Sequence, residues 1–306
     1  KNIGVIIAVS LGYKDEIYSY LEKWKLEKEN IIDGGEYLLK AEGRQYINEN
    51  PIVEITAVMG CKVQCNFCPQ EVLLKKYYSQ DSNRQRIMTC KDFETILEHT
   101  PSECGIMFAG MSEIFLNEKG LDFIQMACEQ GRDVTLFTTL VGASLETVKE
   151  LVKLPIRHTT LHVADRFGYT SIPINEEYYQ KLDIVLSATK NDGSPFVDFI
   201  NAQGEPDDKI LEWCKDKYEI GISLHDRAGN VDKDGVQRRN KYIDNSVKIY
   251  CNCYGKLMNT NVVLPDGTVL LCSQDYGMEH ILGNLYLDTY EDILMGKKMQ
   301  QIYEAA

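Results

Sequence analysis

Three cysteines, Cys61, Cys65 and Cys68, stand as C-x3-C-x2-C directly after a strand-like run from Ile52 to Val58. Structural zinc is closed by four protein ligands, and an ordinary four-iron ferredoxin cluster by four thiolates. No fourth Cys or His lies near, and the next along the chain are Cys90 and His99. Three thiolates leave one position on a metal open to something else, which is the arrangement of a reactive centre. The bland alternative is three free thiols that fall close together. A second group follows much later: Cys251-Asn252-Cys253, then 13 residues, Gly267, four residues and Cys272. Between them Val-Val-Leu-Pro-Asp-Gly-Thr-Val-Leu-Leu, residues 262–271, carries a hairpin signal with Asp266-Gly267 at the turn. A hairpin brings Cys253 and Cys272 together at its open end, with Cys251 as the natural third ligand. The fourth position is left to Cys214, Asp275, a backbone group, a bound substrate or nothing. Zinc, or a pair of buried thiols, is the alternative occupant.

These groups need elements to position them. From Ile52 onward, short β-rich runs alternate with helical periodicity, the pattern of a parallel α/β sheet. The expected strands are Ile52 to Val58, Gly105 to Ala109, Val134 to Thr138, Ile156 to Val163, Leu182 to Ser187 and Tyr218 to Leu224. Thr89-x-x-Asp92 before Phe93, Ile96 and Leu97 reads as a capping box, Ser144 precedes the helical run Leu145, Val148, Leu151, Val152, and Asp207 or Asp208 caps Ile210, Leu211 and Trp213. Six such units give a partial barrel, and parallel barrels carry their chemistry in the loops at the carboxyl ends of the strands. The three-cysteine loop follows the first strand and so belongs at that rim. Thr138 and Thr139 end the third strand, and His162 and Asp165 end the fourth; as rim residues they are candidate contacts, while a threonine pair is equally explained by β propensity. The first 50 residues hold an apolar run, Ile3 to Val9, a charged helix-like stretch from Lys14 to Glu29, and Gly34-Gly35, with no function legible in them.

With 306 residues, 44% hydrophobic and 26% charged, the chain has the composition of an ordinary soluble globule with room for one large domain and an appendage. No apolar run approaches the ~18 residues of a membrane span, and no signal pattern opens the chain. A net charge of -13 opposes general attraction to nucleic acid or anionic membranes. The expected compartment is the cytoplasm, where ten cysteines argue for metal binding over disulfides. Cys90, Cys104, Cys128 and, by default, Cys214 read as small apolar core residues.

The cysteine spacing, with Phe67 just before the last cysteine, resembles the cluster loop of the radical S-adenosylmethionine (radical SAM) enzymes. That resemblance implies a (βα)6 partial TIM-like barrel, with a [4Fe-4S] cluster on Cys61, Cys65 and Cys68 whose fourth iron chelates SAM. SAM is then cleaved reductively to a 5'-deoxyadenosyl radical that abstracts a substrate hydrogen, the electron coming from a donor such as flavodoxin or ferredoxin. Gly110-Met111-Ser112-Glu113 looks like the family's Gly-Gly-Glu motif, which engages the SAM amino group; Ser112 replaces the second glycine. A carboxylate suits an ammonium, and small residues permit close backbone approach. Taken alone, Glu113 is more often a helix-start acid than a ligand contact, and the cluster loop upstream is what favours the contact. Arg227, in Arg-Ala-Gly-Asn, is similar to a segment of some relatives and either pairs with a carboxylate or decorates a turn. By the same resemblance Thr138 and His162 join Phe67, Gly110, Met111, Ser112, Glu113 and Arg227 as expected cofactor contacts.

The Cys251 to Cys272 region resembles the twitch or reduced SPASM domain, which implies an auxiliary [4Fe-4S] cluster, although no cysteine follows Cys272. The expected organisation is an N-terminal extension over 1–50, a radical SAM core over 51–245 and an auxiliary-cluster domain over 246–306. An auxiliary cluster suits two radical fates: oxidation, or epimerisation with a cysteine hydrogen donor, for which Cys214 is a weak candidate. The expected substrate is a carbohydrate or nucleotide-sugar carbinol. Two alternatives stand beside it, a ribosomal-peptide maturase forming an epimer or thioether, and a non-catalytic iron-sulfur electron carrier or sensor.

Overall fold

The computed structural model describes residues 5–7, 31–33, 51–79, 81–214, 218–223 and 258–305. The chain forms two compact units, one of residues 1–51 with 245–259, the other of 52–244 with 260–306. In the first unit β1 (Val5–Ile7) and β2 (Ile31–Asp33) pair in parallel, Val5 opposite Ile31.

The second unit alternates strands and helices: β3 (Ile52–Ile55), α1 (Gln70–Tyr77), α2 (Cys90–Glu98), β4 (Gly105–Phe108), α3 (Gly120–Glu129), β5 (Val134–Thr138), α4 (Leu145–Leu151), β6 (His158–His162), α5 (Glu176–Ser187), β7 (Phe199–Gln203), α6 (Asp208–Cys214) and β8 (Gly221–Ser223). β3 to β8 are parallel and neighbours in sequence order, forming an open partial barrel of six strands. Register separates two faces. Val53, Ile106 and Val134 align in one row and Phe108 and Leu136 in another; all are fully buried. Helices cover this face: Phe93 of α2 packs on Phe108 and stacks on Phe123 of α3 with centroids 4.9 Å apart. The opposite face is mostly polar, with buried Glu54 beside half-buried Met107 and Thr135 in one row and half-buried His162 and Asn201 in another.

Local signals set the helix starts. The Thr89 hydroxyl accepts from the Asp92 amide at 3.2 Å while the Asp92 carboxylate accepts from the Thr89 amide at 2.8 Å, closing the capping box of α2. Ser144 caps α4 and the Asp207 carboxylate accepts from Lys209 at the start of α6. One expectation fails. Leu182 to Ser187 is the last part of α5, and the fifth strand is Phe199–Gln203. Asn175 caps α5, and Tyr178, Lys181, Leu182, Val185 and Leu186 are buried at helical spacing, which outweighs the β propensity of Ile184-Val185.

The C-terminal segment supplies β9 (Thr260–Val263), β10 (Thr268–Leu270), β11 (Ile281–Asn284), α7 (Tyr290–Met295) and α8 (Lys297–Ala305). β9 and β10 form the expected hairpin; Gly267 sits at φ +79, where a Cβ would lie 2.7 Å from the Tyr286 ring. The hairpin continues the barrel sheet: β9 pairs in parallel with β3, Ile52 opposite Thr260, giving nine strands in the order β11-β10-β9-β3-β4-β5-β6-β7-β8.

Candidate functional site

The three-cysteine loop leaves the carboxyl end of β3, beside the segment that leaves β4. Thr56, fully buried just past β3, joins them: its amide donates to Val263 O at 2.9 Å and its hydroxyl accepts from the Met111 amide at 2.9 Å. Gly110 is at φ +50, where a Cβ would come within 2.7 Å of the Thr56 hydroxyl, so only glycine lets the two segments lie this close. Gln70, the first residue of α1, donates from its amide nitrogen to the Met111 carbonyl. The loop is held from its other side too, since the Asn66 amide donates to Tyr169 O at 2.8 Å and the Ser171 amide to Val63 O at 2.7 Å. Val63 and Phe67 are buried, Cys61, Cys65 and Cys68 half-buried, and a backbone bond from Cys68 N to Cys65 O closes the last turn. Gln64, between the cysteines, lies in the left-handed region at φ 46.

Glu113 is buried, and its carboxylate accepts from the Thr138 hydroxyl at 2.8 Å and from the Thr139 amide and hydroxyl at 2.7 Å each. Burial raises its pKa above the ordinary carboxylate value, and the hydrogen bonds from Thr139 and Thr138 oppose that rise. Thr138 thus acts on the site through Glu113. The Glu113 amide in turn points at Cys61: burial pushes the Cys61 thiol up to about 11, against hydrogen bonds from the Glu113 and Val63 amides, while the Glu113 charge adds to the rise. The motif and the cysteine loop therefore share one neighbourhood.

Asp165 is occupied by its own loop, accepting from the amides of Phe167, Tyr169 and Thr170 and from the Thr170 hydroxyl at 2.7 to 3.0 Å. His162 stacks near Phe137 with ring centroids 6.0 Å apart. Cys214 is buried at the end of α6 and Cys104 beside β4, as core residues are; Cys90 and Cys128 are half-buried. Arg227, Cys251 and Cys253 lie outside the described residues. Cys272 is half-buried just after β10, its thiol raised by burial against the amides of Gln274 and Asp275, with the Asp275 and Glu54 charges adding to the rise. Asp275 caps its own turn, accepting from the amides of Glu279 and His280 at 2.8 Å each. Four residues past Cys272, Tyr276 packs with Met59, Leu73, Tyr77, Met111, Val262 and Leu264, and Cys68 lies against this cluster.

Sequence reasoning missed Thr56 and Asn117. Asn117 is buried and donates to the carbonyls of Ala57 at 3.0 Å and Met88 at 2.9 Å, fixing the exit from β3. For Thr56 a signal existed: Glu54 and Thr56 interrupt an apolar run with period two, which marks a face turned toward the barrel interior.

Among the described residues no three His, Cys, Asp or Glu side chains are grouped around a metal position. The chemistry of the donor set still suits an iron-sulfur cluster. One loop supplies three thiols, and beside it the Ser112 hydroxyl and the Gln70 side-chain carbonyl oxygen are buried with no hydrogen-bond partner among the described residues.

Residues 251–305 match the family model of the SPASM iron-sulfur cluster-binding domain. No curated protein matches the chain in sequence. Among solved structures, BtrN in complex with AdoMet and 2-DOIA superposes with a TM-score of 0.52 at 16% identity, covering 84% of this chain and 87% of that one. SuiB of Streptococcus suis, bound to its precursor peptide SuiA, superposes with a TM-score of 0.53 at 15% identity over 94% of this chain and 78% of that one. A third, anSMEcpe with bound AdoMet, gives 0.50 at 15% identity over 82% of each chain. The chain therefore shares the open partial-barrel fold of these three structures, and its residues 251–305 are similar to the SPASM iron-sulfur cluster-binding domain.

Proposed function

We propose that this protein is a radical SAM enzyme with two [4Fe-4S] clusters, one on Cys61, Cys65 and Cys68 that binds SAM and one auxiliary cluster using Cys272 with Cys251 and Cys253. The observation that carries this reading is the meeting of the Gly110 to Glu113 segment with the three-cysteine loop at one rim of the sheet, through Thr56 and the Glu113 amide. When bound, the first cluster supplies an electron that cleaves SAM to a 5'-deoxyadenosyl radical. The protein's own residues bind and orient. The Glu113 carboxylate, held by Thr138 and Thr139, would accept from the SAM ammonium; Gly110 would keep the strand edge open to it; Phe67 is buried within the loop.

The substrate proposed is a carbohydrate or nucleotide-sugar carbinol, oxidised or epimerised, in a cytoplasmic enzyme fed by flavodoxin or ferredoxin. Support for a small polar substrate comes from the likeness to the BtrN complex, whose partner molecule is 2-DOIA, with similar coverage of both chains. The half-buried polar row on the inner face of the sheet, including His162 and Asn201, suits hydroxyl groups. A peptide maturase is the second reading, favoured by the likeness to SuiB with its precursor peptide over 94% of this chain.

Anaerobic reconstitution tests the proposal. About eight irons per chain are expected from two four-iron clusters, with SAM cleavage to 5'-deoxyadenosine on reduction. Replacing Cys61, Cys65 and Cys68 together should leave about four irons and abolish cleavage. Continued 5'-deoxyadenosine formation by that variant would sink the assignment, and its absence in the wild type would leave an electron carrier or sensor.

A further inference from the structure

Cys68 and Tyr276 are 208 residues apart in sequence, yet the Cys68 thiol donates to the Tyr276 hydroxyl at 3.6 Å. Tyr276 is almost fully buried, at 3% exposure, and its ring belongs to the apolar cluster that also takes Met59 and Met111. Its place is fixed twice over. The Tyr276 amide donates to Gln274 O at 2.9 Å, and the Asp275 carboxylate, through Glu279 and His280, locks the turn that presents the ring. The same turn begins at Cys272, whose carbonyl accepts from the Asp275 amide at 3.1 Å. A phenol is both donor and acceptor, so the same contact lets the hydroxyl donate to a sulfur that serves as a metal ligand.

We propose that Tyr276 is a positioning residue for the first cluster: its hydroxyl donates a hydrogen bond to the Cys68 thiolate, orients that ligand and raises the reduction potential of the cluster it holds. This rests on the reading of the preceding section. A hydrogen bond to a ligand sulfur withdraws negative charge from a cluster and favours the reduced form, which carries one more negative charge. The donor comes from the turn that carries Cys272, so the segment serving the auxiliary site also adjusts the electron affinity of the SAM site.

The test uses the reconstituted holoprotein and Tyr276→Phe, which keeps the ring and its packing and removes only the hydroxyl. Potentiometric titration followed by electron paramagnetic resonance reads both clusters; the signal lost on replacing Cys61, Cys65 and Cys68 belongs to the first. In Tyr276→Phe, with wild-type iron content and urea midpoint, that signal should titrate at a more negative potential. The oxidised form is favoured by up to about tenfold, about 59 mV for one electron. The auxiliary signal should not move, and Tyr276→His, which restores an N–H donor, should recover part of the shift. An unchanged first potential in Tyr276→Phe with iron retained overturns the inference alone, and so does a shift confined to the auxiliary cluster. A wild type with no signal that depends on Cys61, Cys65 and Cys68 overturns the underlying reading as well.

Discussion

The amide of Asn66, midway between Cys65 and Cys68, donates to the carbonyl of Tyr169 at 2.8 Å and so ties the cysteine loop to the loop that follows β6. Asp165 organises that second loop through three backbone amides and one hydroxyl. Asp165→Ala leaves these donors without their acceptor, a loss of about 1 to 3 kcal/mol. A lower urea midpoint and a smaller iron content after reconstitution are expected. An unchanged iron content at a lowered midpoint would show that the clasp serves stability alone.

Glu113 gives a pH dependence with a definite sign. Its carboxylate must be ionised to meet an ammonium, and burial raises its pKa, so SAM affinity should decline on acidification sooner than for an ordinary carboxylate. The ligand-free native state also holds this proton more tightly than the unfolded chain does. The group therefore makes the apoprotein less stable as pH rises from the usual carboxylate value through the raised one. Glu113→Gln should keep its iron, bind SAM more weakly and lose the pH dependence; equal affinity to wild type by equilibrium dialysis would remove Glu113 from the binding site.

Cys61 should be a slow nucleophile in the iron-free protein. With its thiol pushed from 9.0 to about 11 by burial, its thiolate fraction near pH 8 is roughly a hundredfold below that of an unperturbed cysteine. Alkylation by iodoacetamide, followed by peptide mass spectrometry, should be slow at pH 8 and climb toward pH 11. Rapid labelling at pH 8 would mean that the surroundings of Cys61 do not raise its thiol as described.

Arg84 fastens the hairpin turn to the chain after α1. Its guanidinium donates to Asp266 at 2.7 Å, to the Thr268 hydroxyl at 2.7 Å and to Tyr77 O at 3.1 Å, and lies 4.1 Å above the Tyr77 ring. The pair with Asp266 is mostly buried, so its removal matters more than loss of a surface ion pair. Arg84→Ala should cost about 2 to 4 kcal/mol in urea unfolding. Arg84→Lys should restore little, because a point charge does not reproduce three separated donors.

The chemistry-bearing parts were the most legible in the sequence, because they depend on short spacings: Cys61 to Cys68, the Thr89 and Asp92 box, and the Asp266-Gly267 turn. Four of the six core strands appear close to where their apolar β-rich runs place them, and β8 is a shorter form of Tyr218 to Leu224. The fifth was hidden. Phe199-Ile200-Asn201-Ala202-Gln203 carries two amides unfavourable to strands, and they are there because this face turns toward the interior. Local pattern also gave no sign that β9 would lie beside β3, or that Tyr276 would reach Cys68, since both depend on pairing between distant parts of the chain. For Thr138 and Asp165, likewise, rim position was readable, but the protein partner that each hydroxyl or carboxylate meets was set by tertiary packing.

β3 has β4 on one side and β9 on the other, and β9 follows all six parallel strands of the barrel in sequence. During synthesis, β3 is a bare sheet edge, the Thr56 amide lacks Val263 O, and Cys68 lacks Tyr276 until the ribosome has passed those residues. The brace on this side of the cysteine loop thus forms only after residues 260–276 have been made. A fragment ending before Thr260 should hold the three cysteines without the β9 and Tyr276 contacts that brace their loop.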